Sequence, residues 1–504
     1  MLRRPRLEYT LSRAELDQKR ALKRSLTWFD IAILGISMSV GAGIFSVGAK
    51  VISEQAGPAA IISFLIAAVV CALAAMCYAE FASSIPIAGS AYTFSYSTLG
   101  EIIAWVIGWN IILELFMAGS VVIKYWAVYL YTSMRLLGVS LPGQIHILNF
   151  NVDWTIFLGA IFFTSLLVFG TKLSARVASV FVVIKIGVIL FVVIAGFRYF
   201  DPQNLVPFIP DATPISGESS LETQSILSAL LGLTPQAFGV MGIFSGAAII
   251  FFAFIGFDNA AAVAEETLNP RRNMPIGLMV GIGVVSLLYM LTAVVSAGMV
   301  PISGYLQYKA EHPDETVSLA TAFEINGQNF AGAISAMGAF VGLTTVVLIC
   351  MLGLSRVLFA ISRDGLLPRY LSETSKRGTP ARLQIMIGVA IAVTAAFADV
   401  DTLAEMINVG TLSAFVVVSF SVPILRKRMQ EFDSAKEQRF RVPLSPGLPI
   451  ISGTICILLS LNLAVITWVF FLIWVAAGLV IYFGYGVRHS ELAKHPENIQ
   501  MEMV

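Results

Sequence analysis

Two short glycine-bearing stretches carry the clearest chemistry in this sequence. Gly41-Ala42-Gly43-Ile44-Phe45 lies inside the first long apolar segment, and Phe254-Ile255-Gly256-Phe257-Asp258 inside a later one. Each glycine weakens a helix interior by about 1 kcal/mol relative to alanine and removes the Cβ that would keep a ligand off the backbone. Gly41, Gly43 and Gly256 are therefore expected to break their helices. Where a helix restarts, its first N–H groups lack partners and carry partial positive charge, which suits a carboxylate. The carbonyls that end the preceding half-helix suit an ammonium. In the first stretch the N–H groups are those of Gly43, Ile44 and the residues after them, and the carbonyls those near Ser39 and Ala42. In the second, the carbonyls are those of Phe252, Ala253 and Ile255. Two such breaks offer both poles of an α-amino acid. The competing reading is a pair of packing notches between helices.

Two ionisable residues lie too deep in apolar segments to reach water. Lys185 is centred in Val183-Ile184-Lys185-Ile186-Gly187, and Glu114 in Gly108–Glu114. Intramembrane charges face the bundle interior and mark ion or substrate pathways. Lys185 is a candidate for proton exchange, or for a fixed structural contact to exposed carbonyls. Glu114 is a candidate for attracting a cationic group, for proton coupling, or for a helix–helix hydrogen bond. Lys124 lies ten residues from Glu114, about 15 Å along a helix, so the two do not pair, and the sequence assigns Lys124 no role. Glu80 and Glu265-Glu266 read as structural or gate contacts near helix ends, and Arg356 and Arg363-Asp364 as anchors. Arg198 is placed to snorkel.

The elements that position these residues are membrane helices. Of 504 residues, 57% are hydrophobic and 12% charged, half the charge of a soluble domain, and mean hydropathy is +0.83. Net charge is +1, which gives no case for nucleic acid. Cys71, Cys77, Cys350 and Cys456 sit in apolar segments without metal-ligand spacing, so no disulfide framework and no metal site are expected. His146, His312, His489 and His495 fall in connecting or terminal segments, which argues against a histidine relay. No phosphate-binding loop is present, so neither ATP nor another cofactor is expected. No cleavable leader is read at the N-terminus.

Apolar segments of spanning length, about 20 residues each, fall near 29–53, 58–82, 98–131, 154–171, 176–199, 243–266, 275–299, 330–362, 383–398, 402–424, 447–465 and 467–487. Twelve spans put both termini on one side. Loops on that side hold Lys172, Arg176, Arg271, Arg272, Arg369, Lys376, Arg377, Arg382, Arg426, Lys427, Arg428, Lys436, Arg439 and Arg441. The long loop of the other side, about 200–242, has acids and no lysine or arginine. The positive-inside rule makes the termini cytoplasmic. This loop reads as a surface connection with one amphipathic turn at Ile226–Leu233, a gating role being the alternative.

The chain also shows an internal repeat. Gly43 precedes Pro58 by 15 residues and Gly256 precedes Pro270 by 14. Five spans separate the breaks, so the second half enters the membrane from the opposite face, as in transporters with inverted repeats.

The combination of motifs resembles the amino acid–polyamine–organocation superfamily, and within it bacterial members of the cationic amino acid transporter family. The matching residues are Gly41–Phe45, Ser90-Ala91-Tyr92 with the preceding glycine, Gly108–Glu114, Phe251–Asp258, Glu265-Glu266-Thr267 with Asn269-Pro270, Arg363–Pro368 and Gly410-Thr411-Leu412. The likeness runs from about 28 to 485. It implies an all-α polytopic membrane protein of LeuT-like fold, with twelve helices in two inverted five-helix repeats plus two more. It implies alternating access, with an amino acid on backbone at Ser39, Ala42, Gly43, Phe252, Ala253 and Ile255. It puts Glu114 and Ala118 beside the substrate, and Lys185 where sodium-coupled relatives hold sodium, so that the proton becomes the coupling ion. Ser37 and Ser39 stand where relatives often carry bulkier apolar residues, and Ala82–Ala88 lacks the basic residues that many relatives carry.

The expected layout is a tail over 1–27, a first repeat over 28–200, an outer loop over 201–242, a second repeat over 243–425, a cytoplasmic loop over 426–446, a helix pair over 447–487 and a tail over 488–504. The expected protein is a plasma-membrane permease and not an enzyme, driving uptake of cationic or small neutral L-amino acids with protons. Exchange of amino acids or polyamines is the alternative, and a non-transporting sensor a lesser one. The expected partners are the amino acid and the bilayer; an accessory membrane protein and self-association stay open.

Overall fold

A computed structural model describes residues 24–85, 90–139, 145–147, 150–169, 175–214, 224–234, 236–261, 263–312, 315–373, 379–432 and 440–494. Residues 1–23 of the expected basic tail, Gly89, the His146 and Arg176 side chains, Lys172, the Glu265 side chain, Lys376, Arg377, Lys436, Arg439 and His495 lie outside the described residues.

The chain is almost wholly helical. It opens with α1 (Trp28–Ser39), begun by a capping box in which the Thr27 side chain accepts from the Asp30 backbone while Asp30 reaches back to the Thr27 N–H at 2.8 Å. At Val40 the backbone turns extended (φ −72°, ψ 93°) and the helix stops. A wide turn over Gly43–Val47, α2 (Gly48–Val51) and a second wide turn over Ile52–Ala56 carry the chain onward. Gly57, at φ +60°, then reverses it into α3 (Ala60–Ser84), which is followed by α4 (Ser90–Thr98) and α5 (Glu101–Leu136). A two-stranded hairpin, β1 (Ile145–Ile147) with β2 (Phe150–Val152), precedes α6 (Trp154–Phe169) and α7 (Ala175–Phe197).

The later part repeats the theme. β3 (Thr213–Pro214), α8 (Ile226–Leu231) and β4 (Gln236–Ala237) lead into α9 (Gly239–Ile250). A tight turn over Phe251–Phe254 ends α9, Ile255 is extended, and Gly256 sits at φ +120° before α10 (Phe257–Ala261). Then come α11 (Pro270–Met299), α12 (Ile302–Glu311), α13 (Leu319–Ile325) and α14 (Asn329–Arg363). After these run α15 (Ala381–Phe397), α16 (Val400–Phe432), α17 (Gly447–Ser460) and α18 (Val465–Ile481). Among the described residues, eight helical stretches are long and apolar enough to cross a membrane, and four shorter apolar helices accompany them. α9 starts four residues before the expected 243, and α16 runs past the expected 424.

The interior is built around α5 and α14, which pack along each other, with α16 on α5 and α11 across α1, α3 and α7. The outside is apolar: Val183 and Ile194 of α7 are 70% and 73% exposed, and Val480 of α18 73%. Side chains of that kind on long helices fit hydrocarbon rather than water.

The segment over 200–242 does more than an amphipathic turn on the surface would. Its Phe238 N–H donates to the Gln55 carbonyl at 2.7 Å, capping the wide turn that follows α2. Ile226 and Leu227 N–H donate to the carbonyls of Leu463 and Leu461 between α17 and α18. The expected polar loop is thus tied to the first broken helix and the last helix pair, because its backbone groups are shielded and need partners.

The buried ion pair is equally specific. Arg426 of α16 clasps Glu80 of α3 with Nε at 2.6 Å and Nη2 at 2.8 Å, and the Val442 N–H donates to the same carboxylate at 2.6 Å. Both oxygens of this buried carboxylate are engaged, by three hydrogen bonds in all, the condition under which such a pair is tolerated. Lys124, which the sequence left without a role, donates to the Ala398 carbonyl at 2.9 Å and so caps α15. Glu80→Ala should lower unfolding stability by about 3 kcal/mol, read as a lower melting midpoint in detergent. Arg426→Met with Glu80→Leu should recover most of the loss.

Candidate functional site

The chain breaks α1 at Val40-Gly41 and the second helix at Ile255-Gly256. Of the two glycines expected to break the first helix, Gly41 lies at the break and Gly43 just past it, where it has another task. A Cβ on Gly43 would lie 2.2 Å from Ala253 Cα and 2.5 Å from Ala253 Cβ. A Cβ on Gly256 would lie 2.6 Å from Met38 Cβ, and its φ of +120° is costly for any other residue. Each break is therefore held against the other by a glycine.

A small cleft opens where they meet. Its lining includes Ser39, Gly41, Ala42 and Gly43 from the first break and Phe252, Ile255, Gly256 and Asn259 from the second. α5 contributes Glu114, Leu115, Ala118 and Val122, and α14 contributes Val346 and Cys350. The structure thus brings together seven of the nine residues expected at the substrate. Ile44 and Ala253 are buried next to the cleft without lining it. Its walls are chiefly apolar, and polar groups are few. Glu114 is 2% exposed, and its Oε1 has no hydrogen-bond partner. Asp258, also buried, is near enough to interact with Glu114 electrostatically.

Lys185 does not line the cleft. It is fully buried, and Nζ donates to the Ser37 carbonyl at 2.6 Å. Its stem runs beside Gly342 of α14, whose Cβ position would be 3.2 Å from Lys185 Cγ. One side chain of α7 therefore joins the end of α1 to α14.

The carbonyls at the breaks are less open than the sequence suggests. Tyr289 of α11 reaches the Ser39 carbonyl at 2.6 Å and the Ala253 carbonyl at 2.9 Å. In the second broken helix, Asn408 of α16 donates to the Ala248 carbonyl at 2.8 Å, and Ser63 of α3 to Ile243 at 2.8 Å. The first broken helix accepts donors from Lys185 on α7 and Tyr289 on α11, and the second from Asn408 on α16, Ser63 on α3 and, at Ala253, Tyr289 again. A carbonyl keeps a second lone pair after accepting one bond, so Ser39 still has one to offer. Sequence reading missed Tyr289, Asn408, Asn259, Val346 and Cys350. A tyrosine, an asparagine or a serine in an apolar helix has no local pattern that tells a backbone-capping residue from an ordinary core one.

With this geometry established, likeness to known proteins becomes informative. The family model described as "Amino acid permease" matches residues 26–496. The methylthioribose transporter of Bacillus subtilis (strain 168) is 37% identical over 485 residues, covering 95% of this chain and 96% of that one. The branched-chain amino acid permease BcaP of the same organism is 38% identical over 485 residues, covering 94% and 95%. The vacuolar cationic amino acid transporter 2 of Arabidopsis thaliana is 36% identical over 414 residues, covering 80% and 60%.

Gly43→Ala places a methyl group on the Ala253 backbone. It should cost about 1–3 kcal/mol of stability, read as a lower melting midpoint. The companion Ala253→Gly should restore part of it, because it removes one of the three Ala253 atoms that the new Cβ meets. A wild-type midpoint for Gly43→Ala would mean that the breaks do not touch there.

Proposed function

This chain belongs to the amino acid permease family, and we propose that it takes up cationic or small neutral L-amino acids through the plasma membrane, coupled to protons, by alternating access. The cleft between the two breaks carries this reading, because backbone from both broken helices lines it. The substrate carboxylate meets the N–H groups at the restart of the first helix, at Ala42, Gly43 and Ile44, which helix geometry leaves without intrahelical partners. The ammonium meets carbonyls of the first break at Ser39 and of the second at Phe252 and Ile255. Glu114, Ala118, Val122, Val346 and Cys350 surround the side chain. An apolar wall with one carboxyl serves a neutral side chain when the carboxyl holds a proton, and a cationic one when it does not.

In this reading residues 28–200 and 243–425 are inverted five-helix repeats of LeuT-like layout, 201–242 is an outer loop, and 447–487 adds two helices to make twelve. Both termini are cytoplasmic. The donors described above support the repeat: Lys185 and Asn408 hold the broken helix of their own half, and Tyr289 and Ser63 reach that of the other.

Lys185 carries the coupling. Protonated, its ammonium makes a charge-assisted bond to the Ser37 carbonyl and ties α1 to α7 and α14. On losing a proton the bond weakens and α1 is released. A proton then shifts the balance between the two access states by as much as it favours one of them.

In proteoliposomes with an inward pH gradient, wild-type protein should accumulate amino acid and Lys185→Met should show no response to the gradient. Unchanged pH dependence in that variant would remove Lys185 from the mechanism. Net uptake into vesicles that contain no amino acid separates this function from exchange, which needs a counter-substrate. Glu114→Gln should weaken binding of L-arginine at least tenfold more than that of L-alanine if the carboxylate reads a cation.

A further inference from the structure

Tyr289 lies along α11 with its ring edge-on to Phe64 of α3, centroids 6.0 Å apart, and to Phe254 of the second break, 5.2 Å apart. The residue is fully buried. That hydroxyl stands 2.6 Å from the Ser39 carbonyl oxygen and 2.9 Å from that of Ala253. The two carbonyls belong to different broken helices, and no other side chain described contacts both.

A phenol has a single proton. It donates to one of the two oxygens at a time, and without it the two partial negative charges would face each other in a medium that screens them poorly. Ser39 lines the cleft, whereas Tyr289 and Ala253 do not. The hydroxyl therefore meets these carbonyls without belonging to the cleft wall.

We infer that Tyr289 is a positioning residue for the substrate ammonium. Its hydroxyl holds the carbonyl ends of both broken helices convergent, so that the Ser39 carbonyl keeps a lone pair turned into the cleft. The chemical group served is a primary ammonium next to a carboxylate. Tyr289 thereby favours an amino acid over the 2-hydroxy acid of the same side chain, which has no ammonium to place. This inference rests on the proposed amino acid function.

The test uses full-length protein, purified and reconstituted, with the twenty amino acids as ligands in a thermal-shift panel and the best of them in uptake. For that amino acid, Tyr289→Phe should raise Kd and KM about tenfold, the scale of one well-placed hydrogen bond, and leave the maximal rate within twofold. The preference for the amino acid over its 2-hydroxy analogue should fall by the same factor. Placing 4-aminophenylalanine at position 289, which keeps the ring and donates through N–H, should restore KM, and it answers the question even where the phenylalanine variant fails to accumulate. Phe64→Leu, which removes a ring contact and keeps the hydroxyl, should leave the preference at the wild-type value. Wild-type binding of amino acids with an unchanged KM in Tyr289→Phe overturns this inference alone. So does a variant that loses only maximal rate, or one whose preference over the hydroxy acid stays put. If the wild-type protein binds none of the twenty, the amino acid function fails and this inference with it.

Discussion

A carbonyl left without a partner inside hydrocarbon is the constraint on which the rest of this structure depends. Breaking a membrane helix frees backbone groups that water cannot reach, and each costs several kcal/mol unless something else bonds it. This protein breaks two. At the end of α1, the Ile36 carbonyl accepts the Val40 N–H, the Ser37 carbonyl accepts Lys185, and the Ser39 carbonyl accepts Tyr289. In the second broken helix, Ser63 and Asn408 serve carbonyls of α9. Past the first break, the Phe45 carbonyl accepts the Tyr129 hydroxyl at 2.5 Å. Helices α5, α7 and α11 therefore serve backbone freed at the first break, and α16 serves the end of α9.

The glycines settle how near the breaks can come. Gly43 abuts Ala253, and Gly256 abuts Met38 and Ser39. Neither helix could approach the other with a Cβ at those points. Close approach brings the free poles of two half-helices to one cleft, with positive N–H groups from one and negative carbonyls from both. In the proposed function a zwitterion is held chiefly by that backbone, and the side-chain walls decide what else about the ligand is read. The carboxyls of Glu114 and Asp258 are the charged groups of that region. Lys185 sits one layer behind it, on the end of α1 rather than in the cleft.

Away from the breaks the same rule is applied with charges. The Glu80–Arg426 pair with Val442 and the Lys124 contact at the end of α15 each give a charged side chain a polar partner inside the bundle. Outside, α6, α7 and α18 present large apolar side chains to their surroundings. Backbone bonds from the segment over 200–242 reach both the first broken helix, at Gln55, and the turn between α17 and α18, at Leu461 and Leu463.

Much of this was legible in the residues. Apolar segments of spanning length give membrane helices, since a chain so poor in charge has no other way to satisfy its backbone. Glycines at depth mark Gly41–Phe45 and Phe254–Asp258 as places where a helix stops, because glycine alone tolerates φ +120° or contact at 2.2 Å. A lysine as deep as Lys185 had to find a polar partner. Which partner it finds is decided by the tertiary structure: Ser37 comes within reach only once α7 packs on α1. The same holds for Tyr289, Asn408 and Ser63, whose hydroxyls and amide look like those of any core residue until another helix brings a carbonyl to them. The chain by itself determined where helices must form and where they must fail. The fold decided which side chains repair those failures, because a hydrogen bond depends on distance and angle between residues far apart in sequence, and neither is written in their local order.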